Sequence, residues 1–343
     1  MTQTGPEARS SIVSLVFGHM AAQALAAAVR LGLPDALGEV HRAAPDVAGD
    51  LGTDPGATAR LLRALAAQGL VEESGAGLFA LTESGQHLRE QHPESMAAFV
   101  RMFLDPTMVG AWQHLDASVR TGRTSFDEVF GKSFFEHLAE VPELSRTFNA
   151  SMRQGTVATA RTLPTAWDFS GYEVVADVGG GDGTLLTAIL QAHPGVRGLL
   201  FDTAEGLAEA PGVLELAGVA ERCEVATGDF FTAAPSGAEV YVIKSVLHDW
   251  DDERVVTILS NLRAVIPAHG RVLIVEPVMP ATVDGSVPAT MYLSDLNMLV
   301  NVGGRERTED EFRGLVQRAG FTLAAVTPLP PPATFSVLEA VPA

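Results

Sequence analysis

The sequence is short of cysteine, of basic residues and of long apolar runs. A single cysteine, Cys223, occurs in 343 residues. It excludes an internal disulfide and fits a reducing cytoplasm. Lysine and arginine total 23 against 42 aspartates and glutamates, a formal net charge of -19. A surface that acidic repels phosphate backbones and argues against general nucleic-acid binding. The most apolar N-terminal stretch, Met20 to Leu33, is cut by Gln23 and Arg30 and stops at Pro34, so it reads as a helix and not a membrane span. Glu7 precedes Arg9, which is not the start of a signal peptide. A cytoplasmic protein without nucleic-acid or membrane partners is expected. Apolar residues make up 47% and charged residues 19%. That is a globular composition, and the length allows two domains.

The first hundred residues read as helices followed by a hairpin. Ile12 to Val29 has helical periodicity, and the Ala-rich stretch Met20 to Leu33 is apolar on most sides, as suits burial in a partner subunit. Pro45 to Ala48 opens a short helix. Thr53-Asp54-Pro55 looks like the cap of another over Gly56 to Gln68. Gly69 to Leu81 reads as strand, Gly-rich turn, strand. This is the layout of a winged helix, so a ligand-sensing DNA-binding regulator is one alternative. The expected recognition helix carries Arg60 and Arg63 but is otherwise Ala- and Leu-rich, whereas specific DNA readers show a basic face. Helices follow over Met96 to Phe103, Met108 to Arg120, Ser133 to Glu140 and Pro142 to Thr162, with Gly122 and Gly131 marking loops.

From Tyr172 strands and helices alternate. Strands are expected at Val174–Val178, Gly198–Phe201, Glu224–Ala226, Glu239–Lys244 and Gly270–Glu276. Helices are expected at Thr184–Gln191, up to about Leu216, Asp252–Val265 and Thr308–Ala319. Phe321–Thr327 and Phe335–Val341 read as a final antiparallel pair. The fold class is therefore α/β: a Rossmann-like, mostly parallel sheet from about residue 165, behind an N-terminal domain over residues 1–100.

Asp177-Val178-Gly179-Gly180-Gly181-Asp182-Gly183-Thr184 lies between a strand and a helix. Glycines there permit positive φ and close approach to a ligand. The spacing departs from G-x-G-x-x-G, because the third glycine falls at 183 and not at 184. Asp177 and Asp182 suit a cationic ligand better than pyrophosphate. Asp202 ends the next strand, where a carboxylate can accept from ribose hydroxyls. Asp229 can accept from an adenine amine, and Phe230 can stack on the ring.

After the fourth strand comes Lys244-Ser245-Val246-Leu247-His248-Asp249-Trp250. No second His or Cys stands at ligand spacing, so no metal is expected. With Glu276-Pro277 and Gly303-Gly304-Arg305-Glu306-Arg307-Thr308, these segments occur in the order seen in a known family. The chain resembles, over nearly its whole length, the metal-independent O-methyltransferases that use S-adenosylmethionine. These are the plant caffeate- and chalcone-type enzymes and bacterial relatives of polyketide and antibiotic biosynthesis. Asp295-Leu296-Asn297-Met298-Leu299 looks like the bacterial branch.

The resemblance implies His248 as general base with Glu276 and Glu306 orienting it. It implies Gly179, Asp202, Asp229, Phe230 and Lys244 as cofactor contacts; Asp177 and Gly181 join them from the loop. It further implies a homodimer through the N-terminal helices, a small aromatic acceptor, and S-adenosylhomocysteine as product. Asp202-Thr203-Ala204-Glu205 departs from the Asp-Leu-Pro of plant members but keeps the carboxylate. Family members that decarboxylate, hydroxylate or close rings are the second alternative. Pocket candidates are Met102, Phe103, Trp112, Phe148, Met152, Met291, Asp295, Asn297 and Met298.

Overall fold

A computed structural model describes residues 5–75 and 77–343. The chain divides into two compact units. One runs to Val109 and includes Ala150–Gln154; the other comprises Gly110–Asn149 and Gly155–Ala343.

In the first unit a long helix, Gly5–Arg30, precedes the helices Leu33–Leu37, Ala44–Leu51 and Pro55–Ala67. Asp54 starts the last of these by accepting the backbone N–H of Ala57 at 2.7 Å, as its place before Pro55 predicts. A small antiparallel sheet has Leu78–Leu81 at its centre, between Arg42–Ala43 and Val71–Glu73. Leu33, Leu37, Val47, Leu62 and Phe79 close a core beneath it. The helix–helix–hairpin layout is therefore present. Arg63 is paired with Glu73 of the hairpin at 3.2 Å and does not build a free basic face.

The N-terminal helix differs from expectation in one respect. Its segment Ala8–Arg30 is long and apolar enough to cross a membrane by length and composition, because Gln23 is uncharged and Arg30 stands at its very end. Ile12, Leu15, Val16, Phe17 and Met20 are exposed on it.

In the second unit we number the strands of the seven-stranded sheet β1 (Val174–Val178), β2 (Arg197–Asp202), β3 (Cys223–Thr227), β4 (Val240–Lys244), β5 (Arg271–Glu276), β6 (Phe321–Pro328) and β7 (Ser336–Pro342). Their order is β6-β7-β5-β4-β1-β2-β3. The five strands β1 to β5 run parallel, and β7 is antiparallel to both β5 and β6. One face is covered by helices Asp252–Val265 and Glu309–Arg318, through Ile258, Leu262, Phe312 and Val316. Thr184–Ala192 and Ala210–Leu216 cover the other, through Leu186, Ile189 and Leu214. Burial on both faces explains the continuous apolar runs of β1, β2, β4 and β5.

The stretch expected as one helix from Met108 to Arg120 is two, Pro106–Trp112 and Leu115–Thr121. The carbonyl of His114, at the break, accepts the Ser125 hydroxyl at 2.9 Å. The expected loop between Gly122 and Gly131 holds the helix Ser125–Phe130, formed where Phe126 buries completely against Phe134. A further helix, Ala289–Asn297, continues as a wider π turn over Met298–Val302.

Candidate active site

Loops leaving the C-terminal ends of β1, β2, β4 and β5 meet at one edge of the sheet, where open α/β folds bind ligands. Gly179, Gly181 and Gly183 all have positive φ (73°, 56° and 81°). A Cβ on Gly179 would lie 2.6 Å from Val246 Cγ2, so the β1 loop packs tightly on the chain leaving β4. The Gly181 N–H donates to Asp202 Oδ2 at 2.8 Å, and Thr203 N donates to Asp202 Oδ1 at 2.6 Å. Beneath the loop Asp177 is buried, and its Oδ2 has no hydrogen-bond partner. Burial, reinforced by the Asp202 charge, raises its carboxyl to about 7. Burial also raises Asp202. Asp229 organises its own turn, accepting from Phe231 N at 2.8 Å and the Thr232 hydroxyl at 3.0 Å. The Phe230 ring reaches to 3.8 Å of the Gly179 Cβ position, which sets it against the glycine loop.

The turn after β4 carries His248. Ser245, at φ 51°, is the one described non-glycine residue in the left-handed region; such backbone outliers concentrate at functional sites. Its hydroxyl accepts from Lys244 Nζ at 2.9 Å. Burial brings the Lys244 ammonium down to about 8, against the pull of Glu276 and Asp177. Glu276, the last residue of β5, is wholly buried. Its Oε1 accepts the backbone N–H groups of Val246, Leu247 and His248 at 3.0, 2.9 and 3.4 Å. A carboxylate thus caps the single turn Leu247–Asp249 and fixes where His248 begins.

His248 Nδ1 lies 3.2 and 3.3 Å from the two Glu306 oxygens and 3.5 Å from Glu276 Oε2. Burial opposes charge on the ring, yet Glu276, Asp249 and Glu306 together outweigh it and raise the imidazolium to about 10. Asp249 lies on the other side, 3.7 Å from Nε2, and burial raises it to about 7. The strap Gly303–Arg307 holds this turn in place. A Cβ on Gly304 would sit 2.0 Å from the His248 carbonyl, so only glycine lets the strap approach. Arg305 N donates to that carbonyl at 2.9 Å. Arg307 is fully buried and donates to the carbonyls of Leu247 and Trp250 at 3.0 and 2.7 Å and to Asp252.

Strand position points to His248, Asp202 and the glycine loop, and the resemblance adds Glu276, Glu306 and Lys244; all of them lie at this edge. The sequence reading did not single out Asp249, Ser294 or Arg307. The Leu247 and Trp250 carbonyls that Arg307 binds lie more than fifty residues away, and the Ser294 hydroxyl meets Glu306 only because the helix and the strap fold together. One nitrogen and two carboxylate oxygens of His248, Glu276 and Glu306 fall within 4.8 Å of one another. Glu276 Oε1 is already committed to backbone N–H groups, and Glu306 to the ring and a serine hydroxyl.

Of the pocket candidates, Trp112 and Asn297 are joined: the indole N–H donates to Asn297 Oδ1 at 2.9 Å, which also accepts from Asn301 at 2.8 Å. Asp295 accepts the Glu306 backbone N–H at 2.9 Å and so serves the strap. Phe148 packs edge-on against Phe134 and Phe135, while Met291 and Met298 are buried. Met102, Phe103 and Met152 belong to the first unit, where Met102 is buried and Phe103 stacks on Phe99.

Residues 112–322 match an O-methyltransferase domain family, and residues 13–90 an O-methyltransferase dimerisation domain. The chain is 50% identical over 337 residues to the O-demethylpuromycin-O-methyltransferase of Streptomyces alboniger, covering 98% of this chain and 89% of that one. Among solved structures it is similar to the mitomycin 7-O-methyltransferase, with TM-score 0.90, 36% identity and 98% of each chain covered. It is also similar to an O-methyltransferase from neocarzinostatin biosynthesis, solved with S-adenosylmethionine and 2-hydroxy-5-methyl naphthoic acid. There the TM-score is 0.76 and the identity 32%, covering 94% of this chain and 96% of that one.

Proposed function

The chain belongs to the S-adenosylmethionine-dependent O-methyltransferases, and on that premise we propose that it methylates a phenolic or enolic hydroxyl of a small aromatic secondary metabolite, with His248 as general base. The observation that carries this reading is His248 itself, one turn beyond the C-terminal end of β4 and held through Nδ1 by Glu306 beside Glu276. A ring whose Nδ1–H is shared with carboxylates offers Nε2 as its basic nitrogen.

The cofactor supplies an electrophilic methyl and a neutral leaving thioether. A phenol with a pKa near ~10 is mostly protonated at neutral pH. Removal of its proton by Nε2 during attack is worth roughly 10²–10⁴-fold. Glu306 and Glu276 stabilise the imidazolium that results, as a carboxylate does in a hydrolase triad. In the free protein these carboxylates hold His248 protonated up to about 10. A cationic cofactor would oppose that protonation.

The residues at the sheet edge fit S-adenosylmethionine and its product S-adenosylhomocysteine. Gly179 and Gly181 open the loop, and the Asp202 carboxylate can also accept from ribose hydroxyls. Asp229 and Phe230 suit the adenine amine and ring. Asp177, buried beneath the loop with an unpartnered oxygen, favours a cationic ligand, and Lys244 balances the acids around it. No metal enters this reading.

The exposed apolar residues Ile12, Leu15, Val16, Phe17 and Met20 suit a homodimer through the N-terminal helix. O-demethylpuromycin, which the 50% identical relative is named for, is the first acceptor to assay. Formation of S-adenosylhomocysteine one-for-one with methylated product supports the reading. A product without the new methyl, or without matching S-adenosylhomocysteine, points instead to decarboxylation, hydroxylation or ring closure.

A further inference from the structure

We propose that Ser294 is a positioning residue that holds the orientation of His248 by acting through Glu306; its bearing on catalysis rests on His248 being the base. Ser294 lies inside the helix Ala289–Asn297. A serine there ordinarily satisfies its hydroxyl on the carbonyl one turn back. Here Oγ donates out of the helix to Glu306 Oε1 at 2.8 Å. That same oxygen faces His248 Nδ1 at 3.2 Å.

Glu306 has a side chain only 1% exposed, so water does not substitute for the hydroxyl. The next residue, Asp295, accepts the Glu306 backbone N–H at 2.9 Å. One helical turn therefore grips Glu306 by its main chain and its carboxylate together. The end of this helix is itself fastened, since Asn297 Oδ1 accepts from both Trp112 and Asn301. A hydroxyl-to-carboxylate bond is charge-assisted and directional. It fixes the rotation of the Glu306 carboxylate so that both oxygens stand 3.2 and 3.3 Å from Nδ1. The line Ser294–Glu306–His248 thus carries position from a rigid helix to the imidazole.

The test is proton NMR of the Nδ1–H of His248 in the full chain saturated with S-adenosylhomocysteine, the resonance being assigned by its loss in His248→Gln. Ser294→Ala should accelerate exchange of this proton with solvent on the order of tenfold, the effect of losing one hydrogen bond to a charged group. Ser294→Thr, which keeps the hydroxyl, should restore slow exchange, and Glu306→Ala, which removes the acceptor, should lose the protection outright. Wild-type exchange in Ser294→Ala, or in Glu306→Ala, overturns the proposal. The base assignment fails separately, by unchanged turnover in His248→Gln.

Discussion

Glu276 binds the Leu247 backbone N–H through Oε1 at 2.9 Å while its other oxygen stands 3.5 Å from His248 Nδ1. One buried carboxylate thus shapes the turn and polarises the ring upon it. The two roles separate in Glu276→Gln, whose amide oxygen can still accept the backbone N–H groups. Folding should be largely retained. Turnover should fall about 10-fold or more, because a buried negative charge 3.5 Å from the ring no longer stabilises the imidazolium. The acid limb of the kcat profile should move to lower pH, because a negative charge that raises His248 is gone. A limb at the wild-type position contradicts the coupling.

Asp202 holds the Gly181 N–H at the end of β2. Asp202→Ala should weaken S-adenosylhomocysteine binding by roughly 10- to 100-fold, with a smaller effect on kcat at saturation. Calorimetric titration measures this, and wild-type affinity removes Asp202 from the cofactor site.

The free protein should lose stability as pH rises from about 4 to about 8. Asp177 and Asp249 are raised to about 7, from an unfolded value near ~3.9. They bind protons more tightly when folded, so their stabilisation is full at low pH and is lost as pH climbs through about 7. His248, raised to about 10, has the same sign, present below ~6.5 and lost through about 10. Lys244, lowered to about 8, acts oppositely and only above that pH. Thermal melts should show a falling Tm across this window and a flatter slope in Asp177→Asn. A rising Tm contradicts the assignment.

His248, Glu276 and Glu306 offer donor atoms that converge within 4.8 Å. Read as a proton-holding cluster, they should be indifferent to chelation. Dialysis against EDTA is expected to leave turnover unchanged, and activity lost to EDTA and restored by a divalent ion would assign the cluster to a metal.

Much of this was legible in the chain. The apolar runs of β1, β2, β4 and β5 alternate with amphipathic segments, and each motif sits just beyond a strand, so the sheet and its ligand edge follow from local pattern. His248 stands out because it follows a strand, whereas Glu276 and Glu306 are named only through the family resemblance. The helices Ser125–Phe130 and Ala289–Asn297 were missed. Both are short; Phe126 packs on Phe134 of the next helix, and Asn297 is held by Trp112, 185 residues away. Asp295 looked like a pocket residue, and only the tertiary fold reveals its bond to the Glu306 backbone. Arg307 was given no role for the same reason, since the Leu247 and Trp250 carbonyls it binds lie more than fifty residues away.

The most direct test is His248→Gln, assayed for turnover and, separately, for S-adenosylhomocysteine affinity. The account predicts a kcat lowered roughly 10²–10⁴-fold with affinity within about twofold of wild type, since the ring serves the acceptor and not the cofactor. Turnover unchanged, or affinity lost in step with it, would contradict His248 as the base.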